Sequence, residues 1–219
     1  MATRLEPYRD YSEHDVINLF SLEVASDATL SGWKPGAEGD FDAGVIVAVS
    51  NGELPGDIPG FAPSATGTPN AALRNYLGAS GQPHVGFNSY PVVETTVEPA
   101  SSATDATNKA IGITLRQTLA YDENGENLLR YPLKKDELQA VLPGQAVPIL
   151  TRGLVLLNSK AVDGTVTVGT SLSVGGTGKE GLFVPATAST PVVGEVIGVG
   201  PTVGASANDR GVYLCRISF

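Results

Sequence analysis

Residues 142–158, LPGQAVPILTRGLVLLN, decide how this chain is read. Two short apolar runs, Val147 to Leu150 and Leu154 to Leu157, flank the polar triplet Thr151-Arg152-Gly153. Neither run is long enough for a stable helix, so each is predicted to be a buried strand. Pro143-Gly144 marks a turn before the first run, and Asn158-Ser159 opens a polar loop after the second. The same pattern, Val-rich runs ended by Gly, Thr, Ser or Pro, continues to Phe219, so residues 142–219 read as a β module.

Working outward, composition bounds the rest. A chain of 219 residues buries one large core, or a core with a smaller elaboration. With 26 glycines and 15 prolines but only 17% charged residues, the excess Gly and Pro belongs to turns and long surface loops rather than to disorder. The net charge of −9 argues against nucleic-acid binding, whose affinity rests on Lys and Arg facing phosphates. No run approaches the roughly 20 apolar residues that span a bilayer, and MATRLEPYRDYSEHD lacks the apolar core of a signal peptide. The expectation is a protein without membrane or nucleic-acid partners. The single cysteine, Cys215, alternates with Tyr213 and Ile217 in VYLCRIS, which predicts a small buried core residue that forms no internal disulfide.

In chain order, residues 1–15 are polar, contain Pro7 and carry Tyr8 and Tyr11 among charges of both signs. Such a segment has little to bury on itself and is either a disordered tail or an N-terminal arm that orders on a partner, with residues 16–219 as the body. Leu5, Tyr8 and Tyr11 recur at three-residue intervals, and Arg4 and Arg9 flank them, so these five form the candidate binding set. Val16 to Glu23 is read as a strand over a helix because of its β-branching. Gly44 to Ser50, GVIVAVS, is a strand closed by the Asn51-Gly52 turn signal. Residues 51–84 form an irregular excursion, and Val92 to Val97 a further strand. Ile113 to Asp122 and Leu128 to Tyr131 read as a hairpin, with Asn124-Gly125 as a type I′ turn. Lys134 to Val141 is a charged link or one helical turn. The fold class is all-β, a compact barrel-like or sandwich body with long Gly/Pro-rich loops.

Motifs for chemistry are weak. Gly176 to Gly181, GTGKEG, fits G-x-G-x-x-G, but a phosphate loop must follow a strand and open a helix, and LFVP after it reads as another strand. Asp122 to Glu126 has the alternating oxygens of a calcium loop, yet Leu133 stands where the bidentate glutamate belongs. His14 and His84 with one cysteine do not make a usual zinc set, and no G-x-S-x-G elbow occurs. The expectation is a non-enzyme without cofactor or metal.

The order of pieces, a polar arm, VINLFSLE at 16–23, GVIVAVS at 44–50, PGQAVPILTRGLVLL at 143–157, then VIGVG at 196–200 and GVYLCRISF at 211–219, resembles that of tailed-phage head decoration proteins, or capsid cement proteins. The resemblance implies a β-barrel-like domain on the capsid exterior, assembled in the host cytoplasm. It also implies a homotrimer whose arm reaches across the major capsid protein. The alternative reading is a carbohydrate- or receptor-binding β domain of a head or tail fibre, with Trp33, Tyr8, Tyr11, Tyr76 and Tyr90 as a stacking platform.

Overall fold

The computed structural model describes residues 4–22, 41–51, 95–101, 109–201 and 211–219. They form an all-β body of two six-stranded sheets and a two-stranded parallel pair, with one six-residue α-helix and a three-residue 3-10 turn (Glu13–Asp15) among the described residues. The first sheet runs, in spatial order, β1 (Leu5–Asp10), β10 (Arg152–Asn158), β14 (Val212–Ser218), β13 (Gly194–Val199), β11 (Ser171–Val174) and β12 (Phe183–Pro185). The second runs β2 (Val16–Ile17), β9 (Ile149–Leu150), β6 (Ala110–Thr114), β4 (Ile46–Asn51), β5 (Thr96–Pro99) and β3 (Ser21–Leu22). The pair is β7 (Gln117–Thr118) with β8 (Ala140–Val141), and helix α1 (Pro132–Glu137) precedes β8.

The two apolar runs of the deciding stretch are both strands, but they belong to different sheets. β9 lies in the second and β10 in the first, so Thr151 is a corner where the chain changes layer. The turn before them is of the kind Pro-Gly prescribes: Gly144 has φ 84°, and the Gln145 N–H donates to Leu142 O at 3.0 Å. Inward residues of both sheets meet in one core. Leu5, Val155, Leu157, Leu172, Phe183, Val196, Tyr213, Cys215 and Ile217 pack there with Ile46, Ala48, Ile113 and Leu150.

A second core lies on the opposite face of the second sheet. Val45, Val47 and Ile149 meet Leu119, Leu128, Leu138 and Leu142 from the 115–142 excursion. β4 is therefore covered on both sides, which is why GVIVAVS shows no apolar–polar alternation: Val45, Ile46, Val47 and Ala48 are all fully buried. The second sheet also curls. Its two edge strands, β2 and β3, are separated by only residues 18–20, a reach of about 14 Å at most. Six flat strands would set those edges about 24 Å apart. The same segment runs beside 146–150 throughout, with Val16 opposite Leu150, Ser21 bridging Ala146, and the Val147 N–H donating to Phe20 O at 2.9 Å.

Several expectations change. Val16 to Glu23 is not one strand but two short ones broken at 18–20, because the segment leaves β9 and turns to pair in parallel with β5. Ile113 to Asp122 is likewise broken after Thr114, where the Leu115 N–H bonds to Pro148 O and β7 then pairs with β8. The hairpin tip is present, with Tyr121 bridging Asn127. It is not type I′, since only Gly125 has positive φ (84°). Buried Asp122 explains this, because its Oδ1 accepts from the Asn124 N–H (2.9 Å) and the Glu126 N–H (2.7 Å), folding the tip around one carboxylate. Lys134 to Val141 is the end of α1 followed by β8. The strand read at 92–97 is described only from Thr96, where β5 extends to Pro99. The excursion at 51–84 lies outside the described residues beyond Asn51.

Candidate functional site

The predicted N-terminal arm is part of the body in the isolated chain. Leu5–Asp10 pairs antiparallel with β10, with Leu5 opposite Leu157, Arg9 opposite Val155 and Asp10 opposite Leu154, and a bulge lies between Leu5 and Arg9. The segment then turns the same corner as its partner. Both the Thr151 N–H (2.8 Å) and the Thr151 hydroxyl (2.9 Å) donate to Asp15 O, and the Phe219 N–H donates to Thr151 O at 3.1 Å. Residues 5–17 thus accompany 149–157 across both sheets. The polar composition misled because an edge strand needs few inward side chains, and here Leu5 supplies the main one.

The five candidate residues separate accordingly. Leu5 is only 2% exposed and sits in the core, against Gly44, where an added Cβ would lie 3.1 Å from Leu5 Cβ. Gly44 also has φ 90°, a conformation glycine adopts without strain. Arg4 is half-buried, and its carbonyl accepts the Asn158 N–H at 3.0 Å. Tyr8 and Tyr11 are exposed, at 55% and 38%. Arg9 points the other way and donates from Nη1 to Leu115 O at 3.1 Å. Leu5, Tyr8 and Tyr11 therefore do not share a side, since residues three apart on a strand such as Leu5 and Tyr8 point to opposite faces. Of the aromatic platform considered for glycans, Trp33, Tyr76 and Tyr90 lie outside the described residues.

Two surfaces result. The first is the outer face of the first sheet. Burial along β10 and β14 alternates, so that Val155, Leu157, Tyr213, Cys215 and Ile217 face inward while Leu154, Leu156, Val212 and Leu214 are half-exposed on the other side. Leu156 stands opposite Leu214, and Leu214 opposite Gly198, beside exposed Ile197. A polar row borders them, in which Asp10 faces Leu154, Leu154 faces Arg216, and Arg216 Nη2 meets Glu195 Oε2 at 2.8 Å. Sequence reading placed these strands but not this row, whose signal is that the outward positions of LVLL and VYLC are leucine or valine rather than the polar residues of a solvated sheet.

The second surface is a cleft of about 450 Å³ between β1 and the 115–117 and 137–139 segments, lined by Glu6, Arg9, Arg116, Gln117, Glu137 and Gln139 among others. The Gln117 amide donates to Leu138 O at 2.6 Å, and Gln139, at φ 49°, is the one non-glycine residue with positive φ among the described residues. Burial holds the Arg9 guanidinium below the ordinary arginine range, with Tyr11 acting against this and the like charge of Arg116 adding to it.

The remaining motifs have structural settings. Gly176 to Gly181 is the turn between β11 and β12, with Gly178 and Gly181 at φ 79° and 70°, and Lys179 pairs with Asp163 across it. Cys215 is fully buried in the inter-sheet core, and desolvation pushes its thiol up to about 12. Among the described residues no group of His, Cys, Asp and Glu is arranged to hold a metal ion, and no helix is long and apolar enough to cross a membrane. Comparison with protein-family models, with curated proteins and with solved structures finds no match to this chain.

Proposed function

We propose that this chain is a structural virion protein that binds the outer surface of a tailed-phage capsid and cements neighbouring major capsid proteins, as a homotrimer. The observation that carries the reading is the half-exposed apolar row on the outer face of the first sheet, Leu154, Leu156, Val212 and Leu214 with exposed Ile197. A sheet face of that composition gains by being covered, at roughly 25 cal/mol for each Å² of apolar surface removed from water. A specific contact needs roughly 1,200 Å² in all, and repeated contacts on a symmetric shell add avidity to each.

Two further features support it. Residues 5–17 and 149–157 run together through both sheets and tie one to the other, which suits a part that transmits load between neighbours. Exposed Tyr8 lies on β1 beside β10, adding an aromatic to the edge of the same face. No catalytic step is assigned to the chain. The test is cosedimentation of the purified protein with empty capsid shells, with the copies per shell counted by quantitative gel densitometry. Saturable pelleting at three copies per site is expected. Failure to pellet at any concentration, or saturation at one copy per site, rejects the cement reading or the trimer respectively.

A further inference from the structure

The cleft beside β1 holds a cation whose donors are not used up. Arg9 spends Nη1 on the carbonyl of Leu115, while its Nε is buried with no hydrogen-bond partner. A guanidinium has five N–H donors in a fixed fork and stays charged at neutral pH. Among the described residues no carboxylate forms an ion pair with Arg9 or with Arg116, although Glu6 and Glu137 line the same cleft. Arg116, an exposed residue of the same lining, instead adds a second positive charge that acts on the first. A half-buried cation near a second one, with no carboxylate paired to either, is unfavourable, and an anion seated between them lowers that cost.

We propose that this cleft is a carboxylate-binding site, in which Arg9 receives the ligand through its Nη end, where only Nη1 is engaged, and Arg116 meets it from the exposed side. The charge inventory favours a monoanion over a dianion. The two arginines and two glutamates that line the space cancel, so a carboxylate leaves one net negative charge there whereas a phosphate dianion leaves two, which Glu6 and Glu137 oppose more strongly. The cleft volume of about 450 Å³ accommodates an acidic side chain with its flanking backbone, or a small free acid. The planar fork of Arg9 matches the two oxygens of a carboxylate. The ligand is thus a carboxylate presented either by an acidic residue of a polypeptide or by a small organic acid. This site stands independently of the capsid reading, because it lies on the other side of β1 from the outer face of the first sheet.

The test follows the Arg9 Nε–H resonance of the full-length chain by NMR. Three probes are titrated: the capped peptide acetyl-Gly-Glu-Gly-amide, its Gln counterpart, and glutarate at matched ionic strength. Inorganic phosphate serves as the competing anion. Saturable shifts with the Glu peptide or with glutarate, and none with the Gln peptide, are expected. Tighter binding of the peptide assigns a polypeptide source, and tighter binding of glutarate a free acid. Arg9→Lys keeps the charge but loses the fork and is expected to weaken binding at least tenfold. Arg116→Ala, at an exposed position, leaves folding intact and is expected to weaken binding several-fold. No saturable shift at Arg9, equal response to the Gln peptide, or tighter binding of phosphate than of either carboxylate overturns the proposal.

Discussion

Replacing Leu5 with alanine removes the side chain that fastens β1 to the inter-sheet core. Leu5 is 2% exposed, shares its cluster with Leu157 and Ile217, and stands opposite Leu157 in the strand register. The loss has two parts, the transfer free energy of the deleted methyl and methylene groups and the cavity left where they packed. Leucine-to-alanine changes at such sites cost about 2–5 kcal/mol. The backbone of Gly44 already approaches Leu5, which leaves little freedom for collapse, so about 3 kcal/mol is expected. For a chain of this size that lowers Tm by about 6–12 °C. The assay is thermal and urea melting followed by far-UV circular dichroism, with Tyr8→Ala on the same strand as control. Tyr8 is 55% exposed, and its replacement is expected to stay within about 0.5 kcal/mol of the native chain. If Leu5→Ala melts together with the native protein, β1 is detached in solution and the segment is an arm after all.

Gly112 sits where an added Cβ would lie 2.4 Å from Leu150 O, so Gly112→Ala must part β6 from β9 and is expected to cost more than about 2 kcal/mol in a urea melt. Asp122→Ala leaves the Asn124 and Glu126 N–H groups without their acceptor and is expected to cost about 1–3 kcal/mol. Asp122→Asn, which keeps Oδ1, is expected to retain most of that stability in the same melt. Cys215 is expected to resist thiol reagents in the folded protein and to react at once on denaturation. Because its folded pKa is raised to about 12, the unfolded thiol ionises first as pH climbs. This contribution to stability is complete below about pH 8.5 and is lost between there and about pH 12, a decline that Cys215→Ala should lessen in pH-dependent melts.

Particular residues show what was legible. GVIVAVS and the runs around Thr151 were readable as strands because continuous β-branched apolar stretches bounded by turn residues have few other solutions. That Ile149 and Leu150 belong to a different sheet from Leu154 to Leu157 was not readable, since a corner made by backbone bonds to Asp15 and Phe219 leaves only the polar Thr151 as its local mark. Cys215 was placed correctly from strand alternation alone. The arm was misread for a physical reason. Composition reports how much a segment can bury by itself, whereas β1 draws its stability from hydrogen bonds to β10 and from a core built by residues 150 positions away. The same limit applies to the cleft, where Arg9 was singled out by charge but Arg116 and Gln139 are brought to it only by the breaks after Thr114 and Leu138.

The central functional claim is that the outer face of the first sheet docks on the capsid, and one substitution addresses it. Leu214 is half-exposed on that face, opposite Leu156 and Gly198, with its side chain away from the core. Leu214→Glu is expected to leave the thermal melt within about 1 kcal/mol of the native chain. In parallel cosedimentation with empty capsid shells, the native chain is predicted to pellet to saturation and the variant to lose at least tenfold in apparent affinity. A folded Leu214→Glu variant that pellets as well as the native chain would contradict the account.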